Sequence, residues 1–134
     1  MNSPFQKVAA HGLIKKDRKY LLTLRSPVND YKPNEWDIPG GSIEIGETAD
    51  GALIREIKEE TDLEVKIVKP VFVCSELQKS GRHQFWIVYE CNYLSGEVKL
   101  NPEEHSEYKW ASLEEIAKLK KIMFAEELFK TKLS

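Results

Sequence analysis

Four glutamates and one arginine stand out between positions 47 and 60: Glu47, Arg55, Glu56, Glu59 and Glu60. On a helix, residues three and four apart are neighbours, so Glu56, Glu59 and Glu60 gather in one place. At about 100° per residue, Glu56 and Glu60 project nearly in the direction of Ala49 and Leu53. Glu59 lies beside Ala52, on the edge of the same apolar face. A solvated face is the ordinary fate of Glu56-Ile57-Lys58-Glu59-Glu60, but here the acids border the side that should be buried. Packed carboxylates repel one another and lose hydration, so a cation must compensate them. Arg55 alone cannot neutralise three. A divalent ion can, and an all-oxygen donor set suits a hard one such as Mg²⁺, with Mn²⁺ able to substitute.

The spacing carries more than a charge cluster. Gly41, five residues, Glu47, seven residues, then Arg55-Glu56-Ile57-Lys58-Glu59-Glu60-Thr61-Asp62-Leu63 resembles the Nudix box, G-x5-E-x7-R-E-U-x-E-E-x-G-U with U aliphatic. Every fixed position matches except Asp62, which stands where the family has glycine. That glycine ends the helix in a left-handed conformation, which Asp tolerates better than most residues.

The resemblance implies roles, residue by residue. Glu59 and Glu60 match metal ligands. Glu56 matches a residue that binds metal or serves as base. Arg55 matches the arginine that orients the carboxylates, and Glu47 the acid that pairs with it. Gly40 matches a residue whose carbonyl meets the metal. A late glutamate completes such sites from a loop before a strand. In Glu103-Glu104-His105-Ser106-Glu107, Glu104 is the first choice as further ligand or base and Glu107 the second. His105 is a lesser candidate as phosphate donor. Tyr31, in the loop over residues 26–35, is a candidate to stack on a base, and Phe124 is a candidate substrate contact. The implied reaction is hydrolysis of a phosphoanhydride in a nucleoside diphosphate derivative. Such a reaction needs neutralised phosphate oxygens, an aligned water and a proton acceptor. The short chain resembles the small MutT-like members that cleave nucleoside triphosphates to monophosphate and pyrophosphate. Around Met123-Phe124-Ala125 there is no asparagine to read an oxidised guanine. ADP-ribose, another nucleotide sugar, or a non-catalytic nucleotide-binding module are the alternatives; modules usually lose the box carboxylates, and all three are present here.

The elements that must position these groups are legible in outline. Thr48 is a plausible N-cap for a helix over 48–60 with Ala49, Ala52, Leu53 and Ile57 inward. A glycine-rich turn before it leads into a short alternation of Ile43 and Ile45. Residues 5–15 and 20–24 read as a hairpin. Trp36 and Ile38 alternate on a short strand that Pro39 stops. Glu64–Val68 and Val71–Cys74 read as two strands broken at Pro70. Phe85-Trp86-Ile87-Val88-Tyr89 suits a sheet centre. Val98 and Leu100 suggest a short strand, and Glu107–Ala111 another that buries Trp110. Ser112 and Glu115 have capping-box spacing. A last helix runs from near Met123 to Lys132 and buries Phe124, Leu128 and Leu133. This order predicts an α/β fold, a mixed sheet with helices on both faces. The α/β/α sandwich is what the resemblance implies.

The totals bound the rest. A chain of 134 residues fits one domain, 1–134, with a real core. A formal charge of −2 and a pI near 6.0 give no global attraction to a nucleic-acid duplex or an acidic membrane. No apolar run approaches the roughly 18 residues a membrane helix needs. Met1-Asn2-Ser3-Pro4 does not open a signal peptide. The expectation is a cytoplasmic monomer or homodimer acting on a small nucleotide. Cys74 and Cys91 fall roughly opposite each other if residues 71–78 and 84–93 form a hairpin. Two small reduced hydrophobes are the favoured reading. His11 has no ligand-spaced partner and reads as structural.

Overall fold

The computed structural model describes residues 5–121 and 123–133, and the side chains of all of these but Met123, Lys132 and Leu133. The expected burial of Leu133 and the reading of Met1–Pro4 lie outside the described residues.

The first two strands, β1 (Phe5–Lys16) and β2 (Lys19–Arg25), form the expected hairpin. Asp17 and Arg18 join them with φ of 51° and 66°, the positive pair that a tight hairpin turn demands. Two short strands, β3 (Trp36–Asp37) and β4 (Gly40–Ser42), follow. Helix α1 (Ala49–Thr61) leads to the long strands β5 (Glu64–Leu77) and β6 (Arg82–Ser95). Strand β7 (His105–Ala111), helix α2 (Leu113–Ala117) and helix α3 (Met123–Leu133) complete the chain. The sheet runs β3-β2-β1-β6-β5, with β4 on β1 and β7 on β2. β1 and β6 are parallel; the other pairs are antiparallel. Strands β2 and β4 share one edge of β1: β2 takes Lys15 and Lys16, and β4 takes Ala9 to His11.

Alternation along β1 divides the core in two. Ala10 and Ile14 pack with Leu53 and Ile57 of α1, and with Tyr89 and Cys91. Ala9 and Leu13 pack on the opposite face with Trp86, Ile116, Phe124 and Leu128. The result is a mixed sheet between α1 and the α2–α3 pair, an α/β/α sandwich. Among the described residues no helix is long and apolar enough to cross a membrane.

Four local expectations need correction. Pro70 does not break the strand, because β5 is an edge of the sheet, where a missing N–H is tolerated. The irregularity appears instead as register shifts against β6 on both sides of Pro70. Residues 98–100 form no strand; the segment is held by Lys99 N–H donating to the Thr61 carbonyl. The strand before α1 covers the glycines Gly40–Ser42 rather than Ile43 and Ile45, and Ile45 is fully exposed. Trp110 is half-buried, its ring edge-on to Tyr93 at 6.0 Å.

The cysteines are not opposite each other. Cys74 pairs with Trp86 and Cys91 with Ile67, and both thiols are free. Burial pushes their pKa values up to about 11 and about 12, so both are inert hydrophobes.

Candidate active site

Helix α1 is the mount. Thr48 caps it, accepting from Gly51 N–H at 3.0 Å. Asp62 ends it in the left-handed region at φ 63°, its N–H donating to the Lys58 carbonyl. The departure from glycine therefore leaves the helix end intact.

Arg55 is saturated. Its Nε and Nη2 donate to the two oxygens of Glu47 at 2.8 and 2.7 Å. Its Nη1 donates to Glu56 at 3.0 Å and Glu59 at 3.2 Å, and Nη2 also reaches the Ser42 carbonyl at 3.2 Å. A guanidinium has five N–H donors, and five contacts use them. The hydrogen bonds from Arg55, then the Glu44 amide, hold the Glu47 carboxyl down to about 2.

Glu60 lacks such support, and Glu56 has only the one contact from Arg55 Nη1. Glu60 is 8% exposed. Among the described residues its one hydrogen-bond donor is the Gly40 N–H, at 3.3 Å from Oε2, and His105 Nδ1 lies 3.9 Å from Oε1. Burial first, then the charges of Asp37, Glu56 and Glu104, push its pKa well above the carboxylate range. Burial likewise raises Glu56, partly offset by Arg55 and reinforced by Glu59 and Glu104.

The two glycines of β4 make this packing possible. A Cβ at Gly40 would lie 2.2 Å from the Ala10 carbonyl oxygen, and φ there is 155°. A Cβ at Gly41 would lie 2.5 Å from the Glu56 carboxyl carbon. Gly40 brings the strand against β1, and Gly41 leaves room for the Glu56 carboxylate.

A cavity of about 470 Å³ opens over these groups, within the size range of small-molecule sites. Gly40, Gly41, Glu56, Glu60, Glu104 and Tyr31 all line it. Glu59 does not line it; its side chain is exposed and tied to Arg55. Glu107 is exposed on β7 and does not line it. Phe124 does not line it either: it is 0% exposed, stacked on Trp86 at 5.0 Å and tilted against His11 at 4.7 Å. Its expected role as a substrate contact is corrected to that of packing behind two residues that do line the cavity.

Pattern reasoning missed three neighbours. Asp37, 3% exposed, accepts from Arg25 Nη1 at 3.2 Å and adds its charge to the Glu60 cluster. Arg25 also donates to the Tyr31 carbonyl at 2.6 Å and to Asn29 at 2.8 Å, which fixes the loop over the cavity. His11 Nδ1 donates to the Ile38 carbonyl at 2.7 Å, and burial lowers its pKa, so the ring is neutral. The nearest sequence signal was Asp37 standing on the short strand before Pro39-Gly40.

The donors fit a hard divalent cation. Glu56, Glu60, Glu104 and Asp37 place four carboxylates in one electrostatic cluster; Arg25 pairs with Asp37 and Arg55 with Glu56, which leaves Glu60 without a guanidinium partner among the described residues. Among the described residues no three His, Cys, Asp or Glu side chains stand at ligand spacing as they are. Arg55 draws Glu56 and Glu59 to itself.

Known proteins resemble this chain over most of its length. The chain is 37% identical over 113 residues to an ADP-ribose pyrophosphatase of Methanocaldococcus jannaschii, covering 84% of this chain and 65% of that protein. The chain thus spans just under two thirds of that relative's length. It is 28% identical over 121 residues to the nucleoside triphosphatase NudI of Escherichia coli K12, covering 83% of this chain and 85% of that one. The fold superposes on the crystal structure of a MutT NUDIX hydrolase from Burkholderia pseudomallei with a TM-score of 0.84. That match covers 97% of this chain and 99% of the other, at 23% identity. The family model described as NUDIX domain matches residues 5–131. With nearly the whole chain inside that match, and with Glu56 and Glu60 of the box lining one cavity, the chain belongs to the Nudix hydrolase family.

Proposed function

We propose that this protein hydrolyses a phosphoanhydride in a nucleoside diphosphate derivative with the help of Mg²⁺, which Mn²⁺ can replace, and that a nucleoside triphosphate cleaved to monophosphate and pyrophosphate is its substrate. The observation that carries the reading is the gathering of buried Glu60, half-buried Glu56 and exposed Glu104 around one open cavity. Carboxylates kept together at a cost in desolvation and repulsion point to a cationic ligand.

Glu56, Glu59, Glu60 and Glu104 would hold the metal, together with the Gly40 backbone. When bound, the metal neutralises phosphate oxygens and makes a bound water more acidic. The chain supplies the rest. Arg55, braced by Glu47, fixes Glu56 and Glu59. Glu56 is the favoured proton acceptor, because burial raises its pKa toward the pH at which a base is most effective; Glu104 is the second choice. No cysteine is poised as a nucleophile, since burial keeps both thiols protonated, so water attacks phosphorus directly.

The triphosphate substrate is supported by the larger share of the triphosphatase relative's length that the chain spans. A second reading, ADP-ribose or another nucleotide sugar, is supported by the higher identity to the archaeal relative. The protein would act in the cytoplasm on small nucleotides. Metal-dependent phosphate release, with and without added pyrophosphatase, over a panel of triphosphates and nucleotide sugars tests the proposal. Pyrophosphate from a triphosphate supports it; orthophosphate with nucleoside diphosphate as the only products, or no turnover of any nucleotide, refutes it.

A further inference from the structure

Four buried polar side-chain atoms among the described residues have no hydrogen-bond partner: Thr23 Oγ1, Tyr31 Oη, Arg82 Nε and His105 Nδ1. Three of them belong to residues that line the cavity. An unpaired buried donor costs about 1–3 kcal/mol, and such groups call for an explanation. His105 belongs to the Glu60 end, but Arg82 does not. In the β1–β6 register, His11 and Gly40 lie at the level of Val88, Ala9 at Trp86, and Phe5 at Arg82. Arg82 is therefore four positions beyond Trp86, about 13 Å along the strand. The cavity runs down these strands away from the carboxylates.

The far end has a definite chemistry. Trp86 and Ala9 provide apolar lining, and the Arg82 guanidinium lies 5.7 Å from the Phe5 ring. Gln84 donates its amide to the Lys7 and Phe85 carbonyls, which leaves Oε1 as the acceptor it can offer. Tyr31 Oη and Arg82 Nε are donors. Charge does not favour a phosphate here. Glu44 shares the cavity wall with Arg82, and the field of Glu76, after burial, raises the Tyr31 pKa. A neutral polar ring suits an apolar wall with two donors, one acceptor and no net positive charge.

We propose that Tyr31, Arg82 and Gln84 form the base-reading subsite, and that it selects bases with a lactam edge, a ring carbonyl beside a ring N–H, as in hypoxanthine, guanine and uracil. Tyr31 Oη and Arg82 Nε donate to carbonyl oxygen, and Gln84 Oε1 accepts the ring N–H. Adenine and cytosine present an amino group beside a bare ring nitrogen. They set donor against donor and leave Gln84 facing a lone pair. The inference rests on the nucleotide reading above, because it takes the phosphates to lie at the Glu60 end.

Inosine and adenosine nucleotides differ only at this edge, which makes them the probe. The expected kcat/KM for the inosine triphosphate exceeds that for ATP by about tenfold or more, as one or two mismatched buried hydrogen bonds imply. Tyr31→Phe, which removes one oxygen, and Arg82→Gln each shrink that ratio several-fold, with the loss carried by KM for the inosine nucleotide. Calorimetric binding of the two monophosphates to the same proteins gives the same ranking without turnover. Equal or better use of ATP by the unmodified protein, or an unchanged ratio in both variants, overturns the proposal while the functional reading stands. If no nucleotide is hydrolysed, the functional reading fails, and the monophosphate affinities alone decide this one: tighter inosine monophosphate supports it, equal or tighter AMP overturns it.

Discussion

A methyl group at position 41 would collide with the Glu56 carboxyl, and that collision separates the fold from the chemistry. The added Cβ would lie 2.5 Å from the Glu56 carboxyl carbon and 2.5 and 2.8 Å from its two oxygens. Carbon atoms in contact sit about 3.5 Å apart, so the carboxyl must retreat by about 1 Å. It can do so, because it is the end of a flexible side chain and Gly41 has no positive φ. Gly41→Ala should therefore fold with a stability loss under about 1 kcal/mol. A displacement of about 1 Å in a catalytic group costs on the order of 10²-fold in rate, or about 2.7 kcal/mol of barrier. The assay is kcat for nucleotide hydrolysis across a metal titration, beside thermal unfolding of the same sample. The contrast is Gly40→Ala, where the obstruction is the backbone of β1: 2.2 Å to the Ala10 carbonyl oxygen and 2.5 Å to the His11 Cα. That variant should lose about 3 kcal/mol of stability or more. A Gly41→Ala protein that is folded and has unchanged kcat and metal dependence would refute the claim that the Glu56 position matters to the reaction.

Further predictions concern the carboxylates and the helix. Glu60→Gln should remove most activity while making the metal-free protein more stable at neutral pH. The folded-state pKa of Glu60 is raised, so its contribution to stability is present below the unfolded value of 4.5 and lost as pH rises through the folded value; the gap between variant and parent in urea unfolding should close below pH 4.5 and widen above it, and a constant gap argues against the cluster. Arg55→Lys should lose the two-pronged grip on Glu47 and the contacts to Glu56 and Glu59, lowering kcat by about 10–100-fold; activity within twofold of the parent would show that the arginine is an ordinary surface partner. Glu104→Gln should impair turnover at limiting metal and Glu107→Gln should not, since only Glu104 lines the cavity; the reverse ranking in a metal titration would exchange their roles. Asp62→Gly should stabilise by up to about 1 kcal/mol by relieving the left-handed strain, offset by the exposed Lys58–Asp62 pair; a loss greater than that in thermal melts would mean the pair outweighs the strain.

Local chemistry was legible without coordinates. Thr48, the apolar spacing of Ala52, Leu53 and Ile57, and the Ser112–Glu115 capping box each act within a few residues, so composition and period specify them. The inward turn of Glu60 followed from the same helical angle that buries Leu53. What acts across the chain was not legible. Arg25, Asp37, Glu60 and Glu104 meet because β2 lies between β3 and β7 while α1 crosses β4, and no periodicity reports which strand lies beside which. The parting of Cys74 from Cys91 depends on a hairpin register that irregularities near Pro70 displace. The helical period already turned Phe124 inward; only the stacking of α3 on Trp86 and His11 decided that it packs behind the cavity instead of lining it. The sequence by itself determined the acids, their helix and its caps, since these depend on neighbours three or four residues apart. The tertiary structure alone decided which side chains share the cavity and which donors in it are left unpaired, since those depend on packing between residues far apart in the chain.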